Sequence, residues 1–254
     1  MIDRGLDRRR RLRREHTPDA VRARLTAPPE TSYLRDFIYG AIDGAITTFA
    51  IVAGSSGAVL GGGVVVVLGL ANLFADGFSM AVSNFLGIRA ARDERERARA
   101  EERQHVELVP EGEREEIRQI YALKGFEGED LERVVAVITA DRDRWVETMM
   151  SEELGYGVDI ESPLKAALAT FTAFLAVGAV PLLAYLVNWA FDDPIADPFL
   201  VSSVLTGLAF VGVGIAKSAV VRQRWWQGAV QTLALGGAAA TVAYLVGLAL
   251  RGVG

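Results

Sequence analysis

The sequence predicts an all-α integral membrane protein with five transmembrane helices and a cytosolic helical insertion between the second and third. The chain is 51% hydrophobic yet 23% charged, which is unusual unless the two kinds of residue are segregated. They are segregated, because four long stretches contain no charged residue: residues 44–75, 166–191, 199–216 and 228–250. A helix needs about 20 apolar residues to cross the hydrocarbon core of a bilayer.

The N-terminal region, residues 1–32, is rich in arginine and lacks the apolar core of a signal peptide. We expect a disordered basic tail that acts as a positively charged topogenic anchor, since nothing aromatic accompanies it to favour nucleic-acid binding.

Residues 33–91 are predicted to contain the first two spans. The first charge-free stretch is too long for one span and has GSSGAVLGGG at its middle, so it indicates a hairpin of spans at about 37–60 and 63–89. The second span continues without proline into RDERERARAEERQHVE, which predicts one long helix that leaves the bilayer. Gly40 and Gly44 are spaced to let another helix approach the first span closely.

Five polar or sulfur-bearing residues inside these spans form a candidate transport path. In the first span, Asp43 lies two helical turns beyond Asp36, and in the second span polar residues recur every three or four positions. An acid inside a membrane span is costly and is by default a functional hypothesis. The alternatives are a helix-helix contact for the acids and plain packing for the methionine. The candidate path residues are Asp36, Asp43, Asn72, Asp76 and Met80.

Residues 92–161 hold most of the 32 acidic residues and are predicted to form a small helical domain. Its helices carry pairs of candidate ligands three residues apart, and such pairs point to the same side of a helix. Carboxylates with a few imidazole or thioether ligands suit Fe²⁺ and Mn²⁺. The alternatives are solvated charged helices and methionines that only pack. The candidate metal ligands are Glu102, His105, Glu113, Glu116, Met149, Met150 and Glu153.

Residues 162–254 are predicted to contain the remaining spans, at about 164–191, 199–219 and 228–250, the first of them kinked by Pro181. The tail, the insertion and the VRQR loop carry lysine or arginine, whereas the GSSGAVLGGG and FDDPIADP loops carry neither, so the N-terminus and the insertion are expected in the cytoplasm. Because arginine far outnumbers lysine and no organellar signal is visible, we expect a prokaryotic inner membrane, or a vacuolar-type membrane in a eukaryote.

From Tyr33 onward the chain resembles the vacuolar iron transporter family. The resemblance rests on DFIYGAIDGAITTFAIVAG, on ANLFADGFSMAVSNFLG, and on the acidic insertion that ends in MMSEELG. It implies a homodimer of five-span subunits, joined through the first transmembrane helix and the cytosolic domain, that exports Fe²⁺ and often Mn²⁺ in exchange for protons. It also implies that Asp43 and Met80 belong to the path and that the Glu and Met candidates of the insertion bind metal.

Two positions depart from the family pattern. His105 stands where a glutamate is expected, which changes the metal preference or pH range of the site. Asn84, within Ser83-Asn84-Phe85, stands where the family often has Gly-Glu-Tyr, so an acid is missing from the inner mouth.

These observations predict a metal/proton antiporter rather than an enzyme. Fe²⁺ is expected as bound substrate and not as a cofactor, with Mn²⁺, Zn²⁺ and Co²⁺ as further candidates. The alternative is a membrane-anchored iron-binding protein that acts as sensor, store or ferroxidase without transport. The insertion lacks the paired Glu-x-x-His motifs of di-iron bundles, which disfavours the ferroxidase.

Overall fold

The computed structural model describes residues 11–27, 32–157 and 161–252. The chain divides into two units, Met1–Ser32 and Tyr33–Gly254. In the first unit, residues 11–15 are helical, and helix α1 spans Pro18–Thr26. Thr17 caps α1 by accepting a hydrogen bond from the backbone N–H of Ala20, and no residue of α1 is buried. The disordered tail was predicted for residues 1–32, of which residues 1–10 and 28–31 lie outside the described residues.

The described residues of the second unit are organised as helices, and the prediction of an all-α membrane protein is confirmed. The α-helices are α2 (Leu34–Gly57), α3 (Gly62–Leu108), α4 (Pro110–Leu123), α5 (Gly128–Thr139), α6 (Arg142–Glu152), α7 (Pro163–Gly178), α8 (Leu183–Ala190), α9 (Pro198–Val220) and α10 (Trp225–Ala249). Within the described part of the chain, five segments are long and apolar enough to cross a membrane: α2, the apolar half of α3, α7 with α8, α9, and α10.

Helix α2 lies at the centre of the membrane bundle, where it packs against α3, α7, α9 and α10. Small residues make this possible. A Cβ atom added to Gly40 or Gly44 would overlap the backbone carbonyl of Thr170 or Phe174 on α7, so the two backbones touch along this face. The predicted close approach at these glycines is therefore observed.

Helix α3 is 47 residues long, which corresponds to about 70 Å. It begins directly after the short connection at residues 58–61, where Val59 adopts a left-handed conformation with φ of 59°. Its first half packs in the bundle and its charged second half continues without a break, as the sequence predicts. The insertion is thus attached to the bundle by an uninterrupted helix.

The third span is interrupted at Pro181, as predicted. Helix α7 ends at Gly178, a 3₁₀ turn covers Val180–Leu182, and α8 continues from Leu183. Proline has no N–H to donate within the helix, and at this break a side chain of a neighbouring helix bonds the backbone. The hydroxyl of Ser202 on α9 donates a 2.6 Å hydrogen bond to the carbonyl of Pro181.

The insertion consists of α4, α5 and α6 folded against the charged half of α3. Ile117, Val135 and Val146 are buried at its centre. Two arginines of α3, Arg95 and Arg99, both form ion pairs with Glu147 of α6 and fix that helix to α3. Leu154 is 41% exposed, because α6 ends at Glu152 and the chain leaves the core beyond it.

Candidate functional site

Three predicted ligands of the insertion form a compact cluster. Glu102, His105 and Glu113 each offer one donor atom, and these atoms lie within 4.8 Å of one another. The Nδ1 atom of His105 is 3.7 Å from Glu102 Oε1 and 3.6 Å from Glu113 Oε1. Two oxygens and one nitrogen at this spacing are arranged around a single point that a divalent cation can occupy.

Local structure accounts for this convergence. Glu102 and His105 lie three residues apart near the end of α3, so they face the same side. Helix α3 ends at Leu108, Val109 departs from helical geometry, and Pro110 starts α4, because proline fits the first position of a helix. The sharp turn between the two helices brings Glu113, on the first turn of α4, back against His105.

The two glutamates are buried while the histidine is exposed. Glu102 is 6% exposed and Glu113 is 5% exposed. Each has one buried oxygen, Oε2, with no hydrogen-bond partner among the described residues. Since a buried carboxylate oxygen without a donor is costly, these two atoms favour a site that takes up a cation.

Burial, together with the smaller effect of the negative charges of Glu116 and Glu102, raises the pKa of Glu113 to about 7. The pKa of Glu153 is also raised, by burial first and then by the same two neighbours. Glu116 and Glu153 are therefore close enough to the cluster for their charges to interact with it. Carboxylates crowded in this way hold protons until a cation replaces them.

Met149 and Met150 are fully buried in the core of the insertion, with Val106, Ile117 and Trp145 as members of the same packed group. The structure thus places both thioethers in the insertion core and gathers the five acidic and imidazole candidates into one electrostatic group.

In the bundle, Asp36 and Met80 line one cavity of about 500 Å³ at the end from which the insertion emerges. The carboxylate of Asp36 accepts a 2.8 Å hydrogen bond from the amide of Asn84 on α3. The same amide group donates a 2.9 Å hydrogen bond to Thr170 on α7. Sequence reasoning missed this role of Asn84, although its position four residues after Met80 placed it on the same helix face.

Deeper in the bundle, Asp43 on α2 and Asp76 on α3 are half-buried, and they lie near enough for their charges to interact. Asn72, one turn before Asp76 on α3, has a buried amide nitrogen without a hydrogen-bond partner among the described residues. The two acids therefore lie on neighbouring helices, close enough for their charges to interact. Asn72 has an unused donor of its own, and no hydrogen bond joins it to either acid among the described residues.

A second cavity of about 620 Å³ lies at the opposite end of the bundle, beside the loop that joins α8 to α9. Asn188 holds this loop closed through two 2.9 Å hydrogen bonds with the backbone of Ile195. Asp192 and Asp193 line the cavity. The sequence predicted no path residue here, because this loop shows only a short acidic stretch and nothing that indicates a cavity.

Comparison with known proteins gives one family model and several curated relatives. The model of the VIT family matches residues 34–248. The chain is 36% identical over 228 residues to a vacuolar iron transporter of Toxoplasma gondii, an alignment that covers 87% of this chain and 75% of the relative. It is 33% identical over 225 residues to one of Plasmodium falciparum, covering 86% and 82%. With vacuolar iron transporter 1 of Arabidopsis thaliana it shares 31% identity over 215 residues, covering 83% of each.

Proposed function

The chain belongs to the VIT family and is a metal transporter, and from that premise we propose that it moves Fe²⁺ out of the cytoplasm in exchange for protons. The observation that carries the proposal is the pair of half-buried, electrostatically interacting acids inside the bundle, Asp43 and Asp76. A carboxylate binds either a metal ion or a proton, so the same oxygens serve both partners of an exchange.

The proposed order begins at the insertion. Glu102, His105 and Glu113 take up the ion, with Glu116 and Glu153 adding negative charge. The ion then enters the cavity lined by Asp36 and Met80 and passes to Asp43 and Asp76, with Asn72 one turn beyond. Protons from the far side bind the two deeper acids and release the ion.

Mn²⁺ is a second cargo, since it prefers the same oxygen-rich ligands, and Zn²⁺ and Co²⁺ are weaker candidates.

We propose a homodimer joined through α2 and the insertion. The insertion faces the cytoplasm, because basic residues flank it and are absent from the loops at the other end. The proposed host is a prokaryotic inner membrane.

Metal uptake into liposomes that contain the purified protein tests this proposal. We expect Fe²⁺ to enter only when a proton gradient of the correct direction is imposed, and Asp43→Ala to abolish uptake while the protein still assembles. Uptake that ignores the gradient would disprove proton exchange. Tight binding with no uptake under either condition would favour the alternative, an anchored iron sensor, store or ferroxidase, and oxygen consumption on adding Fe²⁺ would identify the last of these.

A further inference from the structure

Asn84 connects three transmembrane helices at a single point. Its amide nitrogen donates to Asp36 Oδ1 on α2 at 2.8 Å and to Thr170 Oγ1 on α7 at 2.9 Å. The Thr170 hydroxyl in turn donates to the carbonyl of Ala166 at 3.0 Å. The Thr170 hydroxyl already donates its hydrogen to Ala166, so toward Asn84 it can only accept, as can the Asp36 carboxylate. Only the NH₂ group of Asn84 can therefore donate to both neighbours. The amide orientation is therefore fixed.

The three connected side chains line the cavity of about 500 Å³ at the insertion end of the bundle. Met80 lies on the same wall, and the other charged groups that line the cavity are Arg35 and Glu161. Asn84 contributes no charge of its own. Its contribution to this cavity is the geometry that it imposes on the Asp36 carboxylate.

We propose that Asn84 is a positioning residue for metal entry: it fixes the Asp36 carboxylate at the wall of this cavity so that the carboxylate receives a divalent cation there. The inference rests on the proposed function, since it takes Asp36 as the first carboxylate of the path. A metal-binding carboxylate loses affinity when its hydrogen-bonded support is removed, typically by about 10- to 100-fold. Asn84 supplies that support from a neighbouring helix, and Thr170 holds Asn84.

A merely structural role makes a different prediction. If Asn84 only ties three helices together, its replacement lowers stability and abundance but leaves the cation affinity of correctly folded protein unchanged. The test therefore has to measure occupancy of this cavity and not flux alone.

The chain contains no cysteine, so one reporter thiol can be placed in the cavity. Ser83 lines the cavity and is exposed, which makes Ser83→Cys the reporter. The full-length protein in nanodiscs is treated with a thiol-reactive maleimide while Mn²⁺ is titrated, with Mg²⁺ at equal ionic strength as the control for screening. The concentration of Mn²⁺ that halves the labelling rate reports cation binding in the cavity.

We expect Mn²⁺ to protect the reporter, Asp36→Ala to remove the protection, and Asn84→Leu, which keeps the side-chain size but has no donor, to raise the half-protecting concentration about tenfold. Asn84→Gln, which keeps the NH₂ group, should raise the half-protecting concentration by a smaller factor. Thr47→Ala is the matched control, because Thr47 bonds only the Asp43 backbone carbonyl and does not line the cavity. If Asn84→Leu does not assemble, Asn84→Ala replaces it with the same expectation.

Unchanged protection in a folded Asn84 variant would overturn the positioning role, and so would a lack of Mn²⁺ protection in the otherwise unaltered reporter protein. Uptake measured on the same preparations separates this inference from the proposed function. Protection that depends on Asn84, in a protein that carries no metal across the membrane, would overturn transport and leave the positioning role standing.

Discussion

The Nδ1 atom of His105, near the end of α3, lies 3.6 Å from the Oε1 atom of Glu113 on the first turn of α4. The contact crosses the turn at Val109, so it exists only when the two helices are folded back on each other. His105 is exposed and Glu113 is buried, and the pair therefore connects solvent with the interior of the insertion. A cation that arrives from solvent meets the imidazole first and the buried carboxylates next.

Replacing Glu113 by glutamine should stabilise the metal-free protein at neutral pH. The pKa of Glu113 is about 7 in the folded protein against an ordinary value of 4.5. The folded state thus binds this proton more tightly than the unfolded chain, and the free energy of unfolding falls as the pH rises from about 4.5 to about 7. Glu113→Gln removes that loss, so its melting temperature should exceed that of the original protein by a few degrees at pH 8 and by little at pH 4.5.

Thermal unfolding in detergent with a chelator measures this difference. Glu111→Gln is the control, since Glu111 is exposed on the same helix and lies outside the cluster. Equal melting temperatures for Glu113→Gln and the original protein at pH 8 would contradict a carboxylate whose pKa is raised in the folded state.

Metal affinity at the insertion should fall as the pH drops below about 7. Below that pH Glu113 carries a proton that a metal ion must displace. Each unit by which the pH falls should therefore raise the apparent dissociation constant by up to about tenfold. Calorimetric titration of the full chain with Mn²⁺ between pH 5.5 and 8 measures the slope. In Glu113→Gln the slope below pH 7 should become shallower, and a slope that does not change would remove Glu113 from the ligand set.

Gly44→Ala should destabilise the bundle severely. The added Cβ atom would overlap the backbone carbonyl of Phe174, and backbone cannot move aside as a flexible side chain does. Overpacking typically costs about 1–3 kcal/mol even where side chains can adjust. The matched control is Gly212→Ala on α9, where an added Cβ meets nothing within 4 Å. Size-exclusion profiles and melting curves should show loss of monodisperse protein for Gly44→Ala alone. A normal profile for that variant would mean that α2 and α7 are further apart than described.

Asp76→Asn should lower metal uptake by at least about tenfold without loss of assembly. The amide removes the charge that Asp76 presents to Asp43 and keeps the shape of the side chain. Each factor of ten corresponds to about 1.4 kcal/mol, a modest loss for an ionic ligand. Asp130→Asn is the control, since Asp130 forms only an exposed ion pair with Arg133 on α5. The measurement is the initial rate of metal uptake into liposomes, and equal rates for the two variants would exclude Asp76 from the path.

The sequence predicted what depends on position along the chain, and missed what depends on the rotation of one helix against another. The charge-free stretches located the spans, and Pro181 located the break in the third. The hydrogen bond from Asn84 to Asp36 joins residues 48 positions apart and requires α2 and α3 to be turned toward each other. Helical periodicity assigns a residue to a face but does not say which neighbour meets that face. For the same reason, the sequence left open whether Met149 and Met150 bind metal or only pack, and the structure buries both.

His105→Glu should shift the metal preference of the insertion toward Mn²⁺ and away from Zn²⁺. The cluster holds one imidazole between two carboxylates, and imidazole suits zinc, whereas carboxylate oxygen suits manganese. The substitution makes all three donors oxygens, so the ratio of the Mn²⁺ and Zn²⁺ dissociation constants should move toward manganese by about tenfold or more. Competition titrations on the full chain at pH 8 measure the ratio. Glu107→Gln serves as control, because Glu107 lies on the same stretch of α3, pairs with Arg142 of α6 and lies outside the cluster. A ratio that stays constant in His105→Glu would mean that the imidazole does not bind the metal and that the selectivity of the site comes from the buried carboxylates alone.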